Sequence, residues 1–277
     1  MCSDERSRIK LIATDVDGTL LNSKQELTPA VEQAIKKAAD LGVPLVVATG
    51  KAPGCAWTAD VLPRLGPPGP GVFMQGNLVF NAKQELIYRR DLERSVVETA
   101  IDFAAEHGVT LVAYSVSRIV TEKTDEHSDR LLFYGEPTPE SIGPLRGFLD
   151  DGGTFQKMIL MTTEEQLKGI RPLVLAALQD SATLTTALPG MLEVLPPGAS
   201  KGSGVTRLLQ ELNVEPQNLM ALGDGENDVE MLQLAGLGIA VANAGAPAKA
   251  AADVVLEETN DQDAVARAIE QFVLSQA

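Results

Sequence analysis

The sequence predicts an α/β protein, a Rossmann-like parallel sheet with an α+β unit inserted into it. Three observations predict this. Short apolar runs alternate with segments of helical period in the first third of the chain. The same alternation returns in the last third. The middle changes character, with longer strand-like runs richer in Thr, Tyr and Phe.

Residues 9–16 read as the first buried strand. Thr28 then caps a helix with Pro29 at its first position, and Val31, Ala34, Ile35, Ala38 and Leu41 follow at helical spacing. Gly42 ends that helix, residues 43–48 form the next buried strand, 62–71 a Pro/Gly-rich loop, and 72–74 a third strand. In the last third, helices are expected at 202–212, 227–235 and 261–274, and strands at 219–222, 238–241 and 254–256. In the middle, strands are expected at 109–120, 131–134, 154–163 and 182–195, with helices at 94–106 and 164–178. The expected division is a discontinuous core of residues 1–85 and 189–277, with 86–188 as the insertion.

The 277 residues, 44% of them hydrophobic, suffice for one large or two medium domains with a sizeable core. A net charge of −15 without clustered Lys or Arg argues against nucleic acid and anionic lipid as partners. No apolar run reaches membrane-spanning length, and the charged start of the chain lacks a signal core. The expected location is the cytoplasm, or an organelle if a leader has been removed. Cys2 and Cys55 are too few for a disulfide framework and are expected as reduced thiols, Cys55 buried at a helix start.

Asp15-Val16-Asp17-Gly18-Thr19 follows the first strand. Strand alternation turns Asp15 and Asp17 to one side, and Gly18 lets the backbone turn away. Thr49-Gly50 follow the second strand, Lys201-Gly202 open a helix, and Gly223-Asp224-Gly225-Glu226-Asn227-Asp228 follow the strand at 219–222. Taken singly, each has an ordinary explanation as a turn, a cap or a surface charge. Together they lie at the carboxyl ends of neighbouring parallel strands, which converge on one crevice.

In order and spacing these motifs resemble those of the haloacid dehalogenase (HAD) superfamily of aspartate-nucleophile phosphohydrolases. The long insertion is similar to the α/β cap of its Cof-like subgroup. The resemblance implies a HAD core with a cap, acting on a small phosphate ester through an aspartyl-phosphate. Asp15 would be the nucleophile, Asp17 the acid and base, and Thr49 and Lys201 their catalytic partners. Gly18, Gly50 and Asn227 would bind phosphate, and Lys51 and Asn243 would lie in substrate loops. Mg²⁺ would be held by Asp15, the backbone carbonyl of Asp17, and Asp224, with Asp228 close by. Four carboxylates and a phosphate ester repel by about 4 kcal/mol per pair at 4 Å and an effective dielectric of ~20, so a divalent cation is expected.

Two departures from the subgroup stand out. Lys51 replaces an arginine, losing its bidentate fork, and Met74-Gln75-Gly76-Asn77 replaces an Asn-Gly-Ala loop. His107 is expected as a helix C-terminal cation, and His127 in a solvated charged loop at 121–130. A phosphotransferase or phosphomutase is the alternative on the same fold. A signalling receiver and a non-catalytic phospho-ligand binding protein are more distant ones. The sequence leaves the metabolite and the oligomeric state open.

Overall fold

A computed structural model describes residues 9–54, 56–66 and 69–276 of the chain. Strands β1 (Leu11–Thr14), β2 (Leu45–Ala48), β3 (Gly71–Phe73), β4 (Leu78–Phe80) and β5 (Leu86–Arg89) open one sheet. A second sheet follows, built from β6 (Thr110–Ser115), β7 (Arg118–Thr121), β8 (Glu140–Ser141), β9 (Lys157–Met161), β10 (Thr183–Leu188) and β11 (Met191–Leu195). The chain then returns to the first sheet with β12 (Leu219–Gly223), β13 (Leu237–Ala240) and β14 (Val254–Val255). Among the described residues the first sheet runs β14-β13-β12-β1-β2-β3-β4-β5 and the second β10-β11-β9-β6-β7-β8.

The fold is therefore the expected one, a parallel α/β core with an inserted α+β cap. In the core, β1 is central, with Ile12 paired to Met220 on one side and Leu45 on the other. The three adjoining strands β1, β2 and β12 are buried throughout and almost wholly apolar, as parallel strands covered on both faces must be. Charged groups then have one place near this sheet, beyond the strand ends.

The helix Pro29–Asp40 starts as expected, with the Thr28 hydroxyl accepting from the Val31 amide. The helices Arg94–His107, Glu164–Leu178 and Lys201–Leu212 also lie where helical period places them. His107 ends its helix, packed at a tilt on Phe103 with 4.1 Å between ring centroids.

Several expectations need correction. Residues 131–134 are not a strand but the end of the helix Glu126–Phe133, and the charged run 121–130 supplies its start rather than a loop. Asp125 caps it, accepting from the amides of His127 and Ser128 while the Ser128 hydroxyl accepts from the Asp125 amide, a reciprocal device that outweighs the aromatic content. Residues 109–120 and 182–195 are hairpins rather than single strands, turning at Val116 (φ 54°) and Gly190 (φ 72°). The first strand stops at Thr14, and the expected loop at 62–71 contains the 3₁₀ turn Leu62–Leu65. The hairpin of β4 and β5 was not expected at all; it extends the core sheet through antiparallel pairing with β3. Because β5 pairs within the core sheet and β11 within the cap sheet, sheet membership changes near residues 90 and 196 rather than at 86 and 188. Cys2 and Cys55 lie outside the described residues.

Alternation gives the cap sheet two unlike faces. Ala113, Met158, Leu160, Leu192 and Val194 pack in an apolar cluster with the cap helices. Val112, Tyr114, Ile159, Met161 and Met191 turn the other way and join the apolar cluster of the core. Lys157 and Glu193, at the same parity as Ile159 and Met191, also face the core.

Candidate active site

The register that pairs Thr14 with both Leu222 and Val47 brings three strand ends together. Asp15 continues in extended conformation from β1, and a turn over Val16–Leu20 follows. Gly18 (φ 77°) allows that turn; a Cβ there would lie 2.5 Å from Asp224 Oδ2, so glycine also makes room for the neighbouring carboxylate. The Asn243 side chain donates to the Gly18 carbonyl at 2.8 Å and accepts from the Asn260 amide. It thus fixes the turn rather than facing the cap.

Beyond β12, the Asp228 carboxylate folds back onto its own loop. Its Oδ2 accepts from the amides of Asp224 and Gly225, each at 2.9 Å, and its Oδ1 from Lys201 Nζ at 2.7 Å. The Thr19 hydroxyl donates to Asp224 Oδ1 at 2.7 Å. Lys201 opens its helix through a capping box between Ser200 and Ser203, which places the buried ammonium 2.5 Å from Asp15 Oδ1. Asp15, Asp224 and Asp228 each place a carboxylate oxygen within 4.8 Å of the other two.

This cluster is electrostatically unbalanced. Burial raises Asp15 well above the usual carboxylate range; Lys201 opposes this, while Asp228, Asp224 and Asp17 add to it. Burial and Asp228 push Asp224 up to about 6, against the Thr19 hydrogen bond. Burial acts to lower Lys201, but Asp15 and Asp228 outweigh it and hold the ammonium firmly charged. Three carboxylates against one ammonium leave excess negative charge in a dry place. An all-oxygen donor set with that excess suits a hard divalent cation. The residues present therefore fit a metal. The Asp17 carboxylate lies outside the cluster and pairs with Lys51 Nζ at 3.0 Å.

Thr49 and Gly50 follow β2 as expected, and the Thr49 hydroxyl accepts from the Lys51 amide at 3.1 Å. Lys51, despite its lost fork, bridges core and cap: its buried Nζ also donates to the Tyr134 carbonyl. Gln75, in the unusual loop, is fully buried with φ 58°. Its amide nitrogen donates to Glu193 Oε2 at 2.7 Å, and its oxygen accepts from Asn227 Nδ2 at 3.1 Å. The loop is shaped by Gly76 (φ 88°), where any Cβ would collide with the Ser200 carbonyl. His127 does not line the cleft.

The cap side of the cleft was not anticipated. Lys157 Nζ pairs with Glu193 Oε1 at 3.0 Å, donates to the Gly50 carbonyl at 2.7 Å, and lies 4.3 Å from the centre of the Tyr114 ring. Glu136 accepts from the Ala52 amide at 3.1 Å and from the Tyr114 hydroxyl at 3.3 Å. Burial raises its pKa to about 7, although Lys157, Lys51 and the Ala52 hydrogen bond oppose the rise. A signal did exist: Lys157 and Glu193 are lone charges in strands that are otherwise apolar and buried. Farther out, the Arg171 guanidinium pairs with Glu226 of the motif loop. The cleft between Asp15, Asp17 and Lys51 on the core and Glu136, Lys157 and Glu193 on the cap holds only about 30 Å³, room for one water.

A sequence profile of the haloacid dehalogenase-like hydrolases matches residues 12–269. The chain belongs to that family. It is 30% identical to the 5-amino-6-(5-phospho-D-ribitylamino)uracil phosphatase YcsE of Bacillus subtilis, over 96% of each chain. It is 40% identical, over 96% of its own length, to the chloroplastic endoribonuclease YBEY of Arabidopsis thaliana, of which it spans only 47%. A haloacid dehalogenase-like hydrolase from Bacteroides thetaiotaomicron superposes with a TM-score of 0.82 at 28% identity, covering 95% of this chain and 99% of that one. Among the described residues no helix is long and apolar enough to cross a membrane.

Proposed function

We propose that the chain hydrolyses a small phosphate monoester in two displacements, through an aspartyl-phosphate on Asp15. The carrying observation is the different setting of two neighbouring aspartates. Asp15 sits against Lys201 within the carboxylate cluster, whereas Asp17 is held apart by Lys51. Asp15 attacks phosphorus, and Asp17 gives a proton to the leaving oxygen, then takes one from the attacking water. Lys201 balances charge beside the nucleophile, and Asp228 keeps the ammonium and the motif loop in place. Thr49 and the amides of Gly18 and Gly50 hold the phosphoryl oxygens, with Asn227 at the edge.

Asp15, Asp224 and the Asp17 carbonyl would hold Mg²⁺, with Asp228 orienting the cluster; the ion supplies charge neutralisation for the phosphoryl oxygens. Residues 1–85 and 189–277 act as the catalytic unit and 86–188 as the cap, with the edges moved to the sheet boundaries near 90 and 196. A cleft of about 30 Å³ admits no phosphate ester, so the cap opens for entry and its contacts to Gly50, Lys51 and Ala52 reform around the substrate.

Two relatives suggest different chemistry by name, and the site favours the phosphatase. The endoribonuclease is more than twice the length of this chain, and a net charge of −15 suits a small ester better than RNA. The working location is the cytoplasm or an organelle, the Arabidopsis relative being named chloroplastic. The test is phosphate release from an aryl phosphate with Mg²⁺, comparing the native protein with Asp15→Asn. Release that is lost in the variant supports the reading, and equal rates refute it.

A further inference from the structure

Every cation lining the cleft among the described residues already has an anionic partner. Lys51 is matched to Asp17, and Lys157 to Glu193. Glu136 remains as a further buried acid on the cap side, held by the Ala52 amide and the Tyr114 hydroxyl. The space beside the phosphoryl position is therefore rich in acceptors and offers no unmatched positive charge to a second anion.

Glu193 is the best placed of these acids. A Cβ built on Gly50 would lie 3.5 Å from Glu193 Oε1, so this cap carboxylate stands directly over the turn that holds Thr49 and Gly50. It is 3% exposed and fixed at both oxygens, by Lys157 at 3.0 Å and by Gln75 at 2.7 Å. Through Gln75 it is also tied to Asn227 of the motif loop. An ionised carboxylate has about four acceptor positions, so two bonds leave capacity for an incoming hydroxyl. A buried ion pair is weak as a stabilising device, since apolar residues often serve the fold as well. Its presence on the one cap face turned toward the catalytic aspartates points to a role in recognition.

We propose that Glu193 is a specificity-determining residue: it accepts a hydrogen bond from a hydroxyl of the leaving alcohol, close to the ester, and rejects a carboxylate in that position. The preferred substrates are then phosphate esters of polyols rather than of hydroxy acids. This rests on the phosphatase reading above and deepens it.

The test compares kcat/KM for ribitol 5-phosphate and erythritol 4-phosphate with that for phosphoglycolate and 3-phosphoglycerate, using the whole chain with Mg²⁺. The expected preference for the polyol esters is about a hundredfold or more, the scale of placing like charges together in a dry site. In Glu193→Gln the ratio falls by about tenfold, through a higher KM for polyols and a lower one for the acids. Glu193→Asp keeps the sign of the preference. If Glu193→Gln does not fold, the native ratio alone decides. Aryl phosphate release that depends on Asp15, with the acids used as well as the polyols or with no polyol used, overturns this inference alone. An unchanged ratio in a folded Glu193→Gln does the same. Release from no ester, or release indifferent to Asp15→Asn, overturns the phosphatase reading and this inference with it.

Discussion

On the core wall of the cleft the charged groups stand beyond the ends of strands; on the cap wall they stand within strands. Asp15, Thr49 and Asp224 follow strands that are buried throughout, so their side chains displace no apolar residue from the sheet. Lys157 and Glu193 instead take positions that an apolar residue would fill, and they remain there only as a mutual pair. The difference teaches where each kind of group answers for itself. A strand-end acid is accountable to the chemistry, whereas an in-strand acid is accountable to both chemistry and fold.

Substitutions should separate the two walls. The largest effect belongs to Asp15→Asn, which keeps the shape and removes the proposed nucleophile. Turnover is expected to fall by about 10³-fold or more, while thermal stability holds or rises because a crowded negative charge is gone. Steady-state kinetics beside a thermal melt checks both. A comparable fall in stability would erase the distinction.

On the cap wall, Lys157→Met should act chiefly on stability. Stranding Glu193 without its ammonium is expected to cost about 3–5 kcal/mol, measured by denaturant unfolding. Pairing it with Glu193→Leu should recover most of that loss, since no buried charge is then left unmatched. Failure of the double variant to recover would mean that the pair itself holds the cap together.

Glu136 gives a pH signature. Its carboxyl is raised from 4.5 to about 7, so protonation favours the folded state. Its stabilising contribution is fully present below about pH 4.5 and is lost as pH rises through about 7. Relative to Glu136→Gln, the native protein should therefore lose up to about 3 kcal/mol across that window, read from unfolding curves at several pH values. A flat difference would show that Glu136 is not buried as described. The smallest effect is expected from Arg171→Ala, because the Arg171–Glu226 pair is more than a third exposed on both sides. Its loss should change stability by no more than about 1 kcal/mol, and less at high salt.

The same contrast explains what could be read from the sequence. The core wall was legible because its groups sit in contiguous motifs at the ends of apolar runs, as Asp15-Val16-Asp17-Gly18-Thr19 does after residues 9–13. Even the departures were visible there, although the partners of Lys51 and Gln75 were not. The cap wall was illegible because its groups are single residues whose meaning depends on register. Glu193 matters because β11 pairs with β9 and sets Glu193 opposite Ile159, two residues along the same face from Lys157. Strand boundaries were partly legible, since the hairpin turn at Val116 lies inside β-favouring sequence whereas Pro189-Gly190 is a turn signal between the strands of the second hairpin. The helix end at 131–134 reads as a strand because its aromatic residues favour strands, while its start signal, Asp125 with Ser128, lies several residues upstream.

The central claim is that Asp15 carries the phosphoryl group during turnover. The most direct measurement is to quench the protein with acid during turnover of a good substrate and map the modified peptide by mass spectrometry. The expected result is one added phosphoryl group on Asp15, absent from Asp15→Asn and discharged on standing with water. Turnover with no phosphoryl group trapped at Asp15, or with one trapped at another residue, would contradict it.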